Sequence, residues 1–510
     1  MHMHPAHAIA RCAHTMEETL APLKAQRSRS IFWMLFPSIM LPMFLAVADQ
    51  TIVATALPVI AAKLGTIERA PWIVLSYLIA STIAAPVYGR LGDMFGRRHM
   101  MLAALAVFMA ASVLCALSFT IEMLSLMRVL QGFGGGGLMT LSQALIGETV
   151  PPRERGRYQG YLAAVAVSSS TFGPFAGGYL TQYLGWQSIF LVNLPIGLAA
   201  VVLVLRLQSG SGSSGGRAFD VVGLCLFAGF VTSAVLALEQ LQRLDSRTIP
   251  IAIALAAAAT ASALGLWWHE RRVSYPLLPI SLLRNPAVWR SDALAACHGA
   301  ALVSLLTFLP IYFRALEGAT PAQTGLLLLP LTVGIGMGSM ITGRLISKTG
   351  YTTIIPFCGL TVVTIILLFL AFWAPYISAK ELPWIFGVNA LFMGTVMGVV
   401  QVTVQTAAGS QLLGAGAATV QFSRSVGAAV GTAAVAAVLF AVLAATDTAA
   451  ASRLGALIAQ GPDAAATLAP AQAMIERDEI VTAFRAVFAT IAAFTGAGVW
   501  LAWSIPIRRV

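Results

Sequence analysis

Two stretches of the sequence are alike: GRLGDMFGRRHMM, which begins at Gly89, and GRLISKTGYTTII, which begins at Gly343. Each has a glycine seven residues after its first one, at Gly96 and Gly350, and the offset from 89 to 343 is 254 residues. A glycine motif that begins at Gly173 recurs at Gly427, again after 254 residues. Two features with one offset predict two related six-helix bundles with an insert between them. Parallel repeats of this kind are a transporter architecture with a central site.

The composition places the chain in a membrane. Of its 510 residues 58% are hydrophobic and only 10% are charged, whereas about 25% are charged in a soluble domain. The apolar residues fall in runs of about 20, which is the length that crosses a ~30 Å hydrocarbon core. The sequence therefore predicts an all-α polytopic membrane protein and excludes a soluble enzyme, a secreted disulfide scaffold and a disordered chain. The strand alternation of a membrane barrel is absent.

Apolar runs bounded by charges or turn residues predict fourteen spans, with boundaries good to about two to four residues. They lie at residues 32–60, 71–91, 99–119, 123–147, 158–183, 187–206, 219–239, 249–268, 289–313, 322–346, 352–374, 383–408, 415–445 and 482–505.

The basic residues predict the orientation of these spans. An even number of spans puts both termini on one side, and the N-terminal tail and even-numbered links hold about twice as many Lys and Arg as the others. Cytoplasmic loops are enriched in these residues, so both termini are predicted to be cytoplasmic. The formal net charge of +11 is attributed to the same bias, and no nucleic-acid partner is expected.

The predicted organisation has four parts. They are a cytoplasmic tail at 1–30, an N-terminal six-helix bundle at 31–206, a linker with two inserted helices at 207–272, and a C-terminal six-helix bundle at 285–505 that carries an external hairpin or loop at about 447–481. The histidine-rich tail is interpreted as disordered rather than metal-binding, with Met16 as an alternative start. The five cysteines lack metal-ligand spacing and are expected to be free, mostly buried thiols.

Asp49 is the only acid deep within the first predicted span. An unpaired carboxylate in the membrane core is costly when ionised, so it can exchange a proton as its surroundings change. Arg128, in the fourth span, cannot be neutralised and needs a cavity or a partner, for which Asp49 is the candidate. A switchable pair would couple protonation to conformation, with Gln131 one turn further along the same face. For Asp49 the alternatives are a permanent ion pair and a hydrogen-bonded helix kink, and for Arg128 the alternative is a static bridge that fixes the fourth span against the first.

The loop between the second and third spans is predicted to form a cytoplasmic gate from Gly89, Asp93, Gly96, Arg97 and Arg98. It is too short and basic for a catalytic loop. Asp93 is expected either to cap the N-terminus of a neighbouring helix or to pair with an arginine of the other bundle. Either contact would latch the cytoplasmic face in one state and release it in another.

The fifth span contains TFGPFAGG, with Gly173, Pro174, Gly177 and Gly178. Proline kinks a helix, and small residues allow helices to approach closely. The motif predicts a bend, or a seal between the bundles when the outer face is closed.

A cavity lined by apolar and polar side chains is the remaining site prediction. Aromatic residues and methionines at helical spacing are more often packing residues, and His298 is read as a second proton site or a packing histidine. The proposed lining residues are Gln131, Phe308, Tyr312, Met393, Gln401 and Gln405. Nucleotide-binding, hydrolytic and metalloprotease motifs are absent, so no cofactor or metal is expected, and a proton gradient would supply the energy.

These motifs together resemble the Major Facilitator Superfamily, and within it the 14-spanner drug:proton antiporters of the EmrB/QacA type. The resemblance covers residues 31–505 and rests on ADQTIVATALP, GRLGDMFGRRHMML, LMRVLQGFGGGG, TFGPFAGG, WQSIFLVNLPIG and FDVVG. It implies alternating access, proton antiport and export of hydrophobic or amphiphilic drugs from the cytoplasm across a bacterial inner membrane. It carries Asp49 and Arg128 over as coupling residues, and Asp93, Arg97 and Arg98 as the gate.

The sequence departs from this family in its second half. The loop after Gly343 lacks the acid and the arginine pair, and Arg314 stands where a glutamine is expected. No acid occurs in span 13, which favours monocations and neutral or weakly charged hydrophobic compounds over dications. The repeat implies that a monomer encloses a complete pathway. The alternatives are a dedicated exporter of one metabolite, siderophore, antibiotic or lipid, a transport-inactive sensor, and an importer.

Overall fold

The computed structural model describes residues 36–57, 59–64, 69–207, 219–242, 248–319, 321–378, 380–446 and 470–509. The N-terminal tail with Met16, the Gly/Ser link at 208–216 and most of the external segment predicted at 447–481 lie outside these residues. The described residues are helical apart from short connections, and their only β-pairing is a single bridge between Tyr351 and Arg509.

Fourteen long helical segments, here labelled α1 to α14, lie within the described residues. They are α1 Phe36–Leu57, α2 Pro71–Phe95, α3 Arg97–Ala116, α4 Ile121–Thr149, α5 Pro152–Leu184, α6 Ser188–Leu205, α7 Val221–Gln242, α8 Thr248–Glu270, α9 Pro286–Glu317, α10 Gln323–Thr349, α11 Ile354–Trp373, α12 Leu382–Ala408, α13 Leu413–Thr446 and α14 Pro470–Ser504.

Twelve of the described helices are long and apolar enough to cross a membrane, whereas the sequence predicts fourteen spans. The difference lies in α4 and α5, which have 29 and 33 residues. Both exceed the roughly 20 residues that a bilayer core requires. However, α4 contains Arg128 and a run of glycines, and α5 begins with the charged stretch PRERGRY. These residues lower the hydropathy of both helices, so composition supports twelve spans rather than fourteen.

Each half of the chain builds its own apolar core. In the first half α4 packs against α2 and α3, and α3 packs against α6. In the second half α9 packs against α13 and α14, α10 against α12, and α11 against α14. The remaining pair, α7 and α8, pack on each other, and α7 contacts both α2 and α13. The inserted pair therefore lies beside one of the seams between the two halves.

Two seams join the halves, α2 with α13 and α5 with α10, and glycines allow each close approach. A Cβ on Gly89 would lie 2.6 Å from the carbonyl oxygen of Gly414, and one on Gly343 would lie 2.3 Å from that of Gly156. The first glycines of the two similar stretches thus hold equivalent places in the two seams.

The glycines seven residues after these first ones also match in conformation. Gly96 and Gly350 have φ angles of 90° and 72° and end α2 and α10. Such positive φ values favour glycine, because a Cβ would be strained there. The internal repeat predicted from the sequence therefore has a structural counterpart.

The expectation that the cysteines are mostly buried was wrong for the described ones. Cys115 is buried and Cys297 is half-buried, but Cys225 and Cys358 are exposed. The two exposed thiols lie on α7 and α11, which are strongly apolar candidate spans. A thiol behaves as a small apolar group, so an outward position in a membrane helix suits it.

Candidate functional site

Asp49 on α1 is the centre of a buried polar cluster in the first bundle. Its side chain is completely buried, and three donors reach its carboxylate. Arg128 Nη1 donates to Oδ2 at 2.5 Å, while Gln131 Nε2 and Asn193 Nδ2 each donate to Oδ1 at 2.8 Å. The guanidinium makes a charge-assisted hydrogen bond, and the two amides complete the set of donors around the buried carboxyl group. The pair predicted from the sequence is therefore formed.

The Arg128 guanidinium is partnered on several sides. Besides Asp49, its Nη1 donates to Gln131 Oε1 at 2.8 Å and its Nε donates to the carbonyl oxygen of Ile73 at 3.2 Å. Its Cζ lies 4.2 Å from the centre of the Tyr77 ring, a cation–π distance. Because the side chain is only 1% exposed, these contacts replace the water that a guanidinium would otherwise bind.

Glycines in α4 bring this helix against α2 and so place Arg128 beside its partners. A Cβ on Gly132 would lie 2.4 Å from the carbonyl oxygen of Tyr77, and one on Gly136 would lie 2.2 Å from that of Ser81. No larger residue fits at either position without separating the two helices. The glycine run after Arg128 is therefore part of how the cluster is built.

Sequence reasoning missed two members of the cluster, Asn193 and Ser112. Both side chains are buried, and Ser112 Oγ accepts from Gln131 Nε2 at 2.9 Å and from Asn193 Nδ2 at 3.3 Å. Asn193 lies in WQSIFLVNLPIG as a polar residue within an otherwise apolar part of the span. Polar side chains at such positions are costly and need partners. The polar Asn193 within an apolar span is thus a signal in the sequence for a further member of the cluster.

Three of the proposed cavity residues lie in the apolar core of the second bundle. Phe308, Tyr312 and Met393 are each at most 5% exposed and belong to one cluster of buried apolar residues. The Tyr312 ring lies 5.2 Å from the ring of Phe484 and 5.8 Å from that of Phe488. These positions favour packing over cavity lining in this conformation.

The proposed glutamines have different surroundings. Gln131 belongs to the Asp49 cluster and does not lie between the bundles. Gln405 on α12 reaches the first bundle, because its Nε2 donates to the carbonyl oxygen of Gln143 at 2.9 Å. Gln401 is buried one turn earlier on the same helix, and its Nε2 has no partner among the described residues. A role for Gln401 and Gln405 in substrate binding stays a prediction.

The loop after α2 joins the two bundles through Asp93. Its Oδ1 accepts from the backbone N–H of Gly414 at 3.1 Å, and its Oδ2 accepts from that of Ala415 at 3.3 Å. These are the second and third residues of α13, so Asp93 caps a helix of the second bundle, the first of the two arrangements considered above. A carboxylate there also interacts favourably with the helix dipole.

The two arginines of the loop act within the first bundle. Arg97 Nη2 donates to Asp93 at 2.5 Å, and its Nη1 donates to Glu148 Oε2 at 2.7 Å. Arg98 Nη2 donates to the carbonyl oxygen of Leu205 at the end of α6, at 2.6 Å. Arg97 therefore fixes the orientation of Asp93, whereas Arg98 ties α3 to α6.

The glycines of TFGPFAGG contact α1 within their own bundle. A Cβ on Gly173 would lie 1.9 Å from Thr51 Oγ1, and one on Gly177 would lie 2.4 Å from Thr55 Oγ1. Pro174 lies inside α5, and Gly178 has no described atom within 4 Å of its Cβ position. A seal between the bundles at this motif is therefore not formed in this conformation.

The two bundles are in contact at the end that carries Asp93, whereas α5 has open space beside Gly178 near its other end. A Cβ on Gly160 would lie 2.7 Å from the carbonyl oxygen of Ser339 on α10. Gly178 lies 18 residues later, which is about five helical turns, so it falls on the same face of α5. The space there is open. By the charge bias described above, the closed end is the predicted cytoplasmic end.

Replacing Asp93 by asparagine is expected to weaken closure of this end. Asparagine still accepts one hydrogen bond from α13 but loses the charge that interacts with the helix dipole, worth about 1 kcal/mol. The fraction of closed molecules should then fall about five-fold relative to open ones. Ala418 of α13 is buried against Gly89 at this end, so a cysteine placed there reacts with a thiol reagent only when the end opens, in a background without the native cysteines.

The matched control is Glu122→Gln, which removes an exposed acid from the first turn of α4, away from α13. An equal change in reactivity for both variants would show that Asp93 does not act through its contact with α13.

Comparison with known proteins identifies one family of transporters. Residues 39–432 match the model of the Major Facilitator Superfamily. The uncharacterized MFS-type transporter Rv1877 of Mycobacterium tuberculosis is 33% identical over 81% of this chain, which spans 60% of that relative's length. The multidrug transporter protein MdtP of Bacillus subtilis is 29% identical over 78% of this chain and 73% of its own length.

Solved structures agree at the level of the fold. The human organic anion transporter MFSD10 superposes with a TM-score of 0.60 at 15% identity, over 92% of this chain and 99% of that one. The proton:xylose symporter XylE superposes with a TM-score of 0.59 at 13% identity, over 94% and 96%. At these identities the likeness shows the fold alone. The relatives and structural neighbours are transporters and not enzymes.

Proposed function

Because the chain belongs to the Major Facilitator Superfamily, we propose that it is a secondary transporter that exports hydrophobic or amphiphilic compounds in exchange for protons. Relatives that are named as multidrug transporters and efflux pumps support export. The observation that carries proton coupling is the buried Asp49–Arg128 pair with its two amide donors. A carboxylate within a membrane helix, held by groups on two other helices, links its protonation to how those helices pack.

Protonation of Asp49 would remove the counter-charge of Arg128. The guanidinium cannot lose its own proton, so it must find another partner or reach water, which requires α1, α4 and α6 to shift. The amides of Gln131 and Asn193 hydrogen-bond either form of the acid. The charge on Asp49 thus favours the packing described above, and the neutral form favours another. A proton that crosses in the exchange supplies about 2.3 kcal/mol per 100 mV of membrane potential.

The closed end and the Asp93 cap give this exchange a gate. In the closed state Asp93 holds α13, and Arg97 holds Asp93. When the acid separates from α13, the second bundle is free to move away from the first at this end. Substrate and proton would then bind on alternate sides of the membrane.

The membrane arrangement is part of the proposal. We infer that α4 and α5 also cross the bilayer, which gives the fourteen spans and cytoplasmic termini typical of the 14-spanner drug:proton antiporters. The buried position of Arg128 supports this count, because lipid does not meet the charge that lowers the hydropathy of α4. The bacterial inner membrane is the proposed location, and the monomer is the proposed unit.

The experiment uses purified protein in liposomes with a pH-sensitive dye inside and an imposed pH gradient. A panel of lipophilic cations, lipophilic anions and neutral drugs is added in turn. Dissipation of the gradient that depends on added compound and on protein is expected for several of them. A response to one compound only would favour a dedicated exporter. Transport of compounds without any proton movement would overturn the antiport proposal.

A further inference from the structure

We infer that Arg424 on α13 is a binding site for the anionic group of a substrate, so that compounds with one negative charge are preferred to cations. This inference rests on the proposed export function and names its substrate class. The ligand chemistry is an aromatic or aliphatic body that carries a carboxylate or sulfonate. It differs from the sequence expectation of cationic or neutral compounds.

Arg424 lies deep in the bundle. It follows Leu413, the first residue of α13, by 11 residues, so its Cα is about 16 Å along the helix from that end. Its backbone oxygen and Cγ lie against Gly299 of α9, which is itself near the middle of a 32-residue helix. A guanidinium at this depth cannot be neutralised and needs water or a negative charge.

Arg424 has no counter-charge among the residues that the structure describes. No ion pair or hydrogen bond joins its guanidinium to another described residue, in contrast with Arg128, which binds Asp49. The nearest acid along α9 is Asp292, seven residues before Gly299 and so about 10 Å along the axis. Its side chain lies beside Thr419 of α13, and no ion pair or hydrogen bond joins it to Arg424. The sequence of α13 contains no acid.

The helix geometry directs Arg424 towards the space between the bundles. Gln421, three residues earlier, contacts Met139 of α4 in the first bundle, with Nε2 3.9 Å from the sulfur. Gly427, three residues later, packs on Ala296 of α9. Residue 424 lies between these two directions on a helix of 3.6 residues per turn. Its side chain is only half-buried, which fits a position beside an accessible space.

A second polar group faces the same region without a full set of partners. His298 immediately precedes Gly299, and its ring is 3% exposed. Its Nε2 lies 3.2 Å from the carbonyl oxygen of Met393, and its Nδ1 has no partner among the described residues. A carbonyl only accepts hydrogen bonds, so Nε2 carries the proton that it donates. Nδ1 is then free to bind a water or a hydroxyl of a ligand whose acidic oxygen is held by Arg424.

The absence of acids from α13 therefore has two consequences. It removes sites for a dication, as the sequence indicates, and it leaves Arg424 uncompensated. A lipophilic cation would meet an unpaired positive charge at this point of the path, which opposes its binding. An organic anion would supply the missing partner through charge-assisted hydrogen bonds.

The test compares two fluorescent probes that share a ring and differ in charge, pyrene-1-sulfonate and pyren-1-ylmethylammonium. Their binding to the full-length protein in nanodiscs of zwitterionic lipid is measured by fluorescence anisotropy, with empty nanodiscs as background. The wild type is expected to bind the sulfonate at least about ten-fold more tightly. Arg424→Gln should remove this preference, and Arg424→Lys, which keeps the charge, should retain most of it.

The control is Arg271→Gln, which removes one positive charge from an exposed position after α8 and should leave both affinities unchanged. A wild type that binds the ammonium probe as tightly as the sulfonate, or binds neither, overturns the inference. So does an Arg424→Gln variant that is monodisperse and keeps the preference. If that variant does not fold, the wild-type preference and Arg424→Lys still decide.

Binding is measured without a proton gradient, so the two proposals fail separately. A preference for the anion without compound-dependent proton flux would refute the antiport proposal and support the anion site at Arg424. Proton flux with a preference for the ammonium probe would keep the antiport and refute the site.

Discussion

Replacement of Asp49 by asparagine is expected to abolish proton-driven export while leaving substrate exchange down its own gradient. Asparagine has the shape of aspartic acid and still bonds to Gln131 and Asn193, but it cannot be ionised at any pH. Without a group that alternates between two protonation states, the proton gradient has nothing to act on. Uphill transport should therefore fall to the level of empty liposomes, and counterflow of labelled substrate should persist.

The same substitution is expected to lower stability, because it leaves Arg128 buried without its counter-charge. Breaking a buried ion pair on one side costs about 3–5 kcal/mol. The double variant Asp49→Asn with Arg128→Gln removes both charges and should recover part of this loss without recovering uphill transport. Thermal unfolding of the three proteins in one detergent measures the difference. Recovery of stability without recovery of transport separates coupling from folding.

Asp292→Asn provides the matched control, since Asp292 is another buried carboxylate within a membrane helix, 5% exposed and without Arg128 nearby. It should keep proton-driven transport. If Asp49→Asn couples normally and Asp292→Asn does not, the coupling group lies in the second bundle and the role proposed for Asp49 is wrong.

The contrast between Asp49 and Asn193 shows what the sequence could reveal about the site. A charge in a membrane span needs a partner, so the acid in the first span and the arginine in the fourth were enough to suggest their contact. Asn193 and Ser112 are neutral and make weaker demands on their surroundings. Many neutral polar side chains in spans bond only to their own helix, as Thr55 does to the carbonyl oxygen of Ile52. Their role depends on which helix faces them, which periodicity does not determine.

For a related reason, the sequence could not show whether the aromatic residues of the second bundle line a cavity or pack in its core. Phe308 and Tyr312 lie one turn apart on α9, and the same spacing suits a cavity wall or a packed core. The structure places both in the apolar core of the second bundle, where Phe484 and Phe488 of α14 pack against Tyr312. Which face of α9 meets α14 is a property of bundle assembly. The cap that Asp93 forms on α13, by contrast, was predictable in part, because a short loop with an acid and two arginines has few buried partners except a helix end.

The number of spans expected from the apolar runs differs from the number that hydropathy supports. The boundaries of the apolar runs predict fourteen spans, whereas twelve of the described helices are long and apolar enough, because polar residues lower the hydropathy of α4 and α5. In α4 that polarity belongs to Arg128 and the close contact with α2, which are features of the site itself. Polar residues that face inward lower the mean hydropathy of a helix, so α4 and α5 do not qualify as spans by composition.

Introducing leucine at Gly160 is expected to shift the protein away from the conformation described here. A Cβ at this position would lie 2.7 Å from the carbonyl oxygen of Ser339, and Ser339 Oγ donates to the carbonyl oxygen of Gly394 at 3.0 Å. This bond holds α10 against α12, so α10 cannot yield locally. Overpacking of this kind costs about 1–3 kcal/mol, which changes the ratio of closed to open molecules about 5- to 150-fold. Export should fall with it.

The matched variant is Gly178→Leu, on the same face of α5 about five turns away. Nothing described lies within 4 Å of its Cβ position, so leucine fits the present conformation. If the outer ends of α5 and α10 meet when the gate opens, leucine there obstructs the other state. The two substitutions should therefore shift the equilibrium in opposite directions, although both reduce transport.

Distances between spin labels distinguish these shifts. One pair of labels at Arg153 and Lys348 reports the end with Asp93, and another at Leu184 and Gln323 reports the opposite end, in a chain without its five native cysteines. Gly160→Leu should lengthen the first distance and shorten the second. Gly178→Leu should leave both distances at the values of the wild type in the conformation that is closed at the Asp93 end. If both variants shift the two distances in the same direction, α5 and α10 do not pivot about a point between these glycines. The bundles would then separate as a whole, and alternating access through this seam would be wrong.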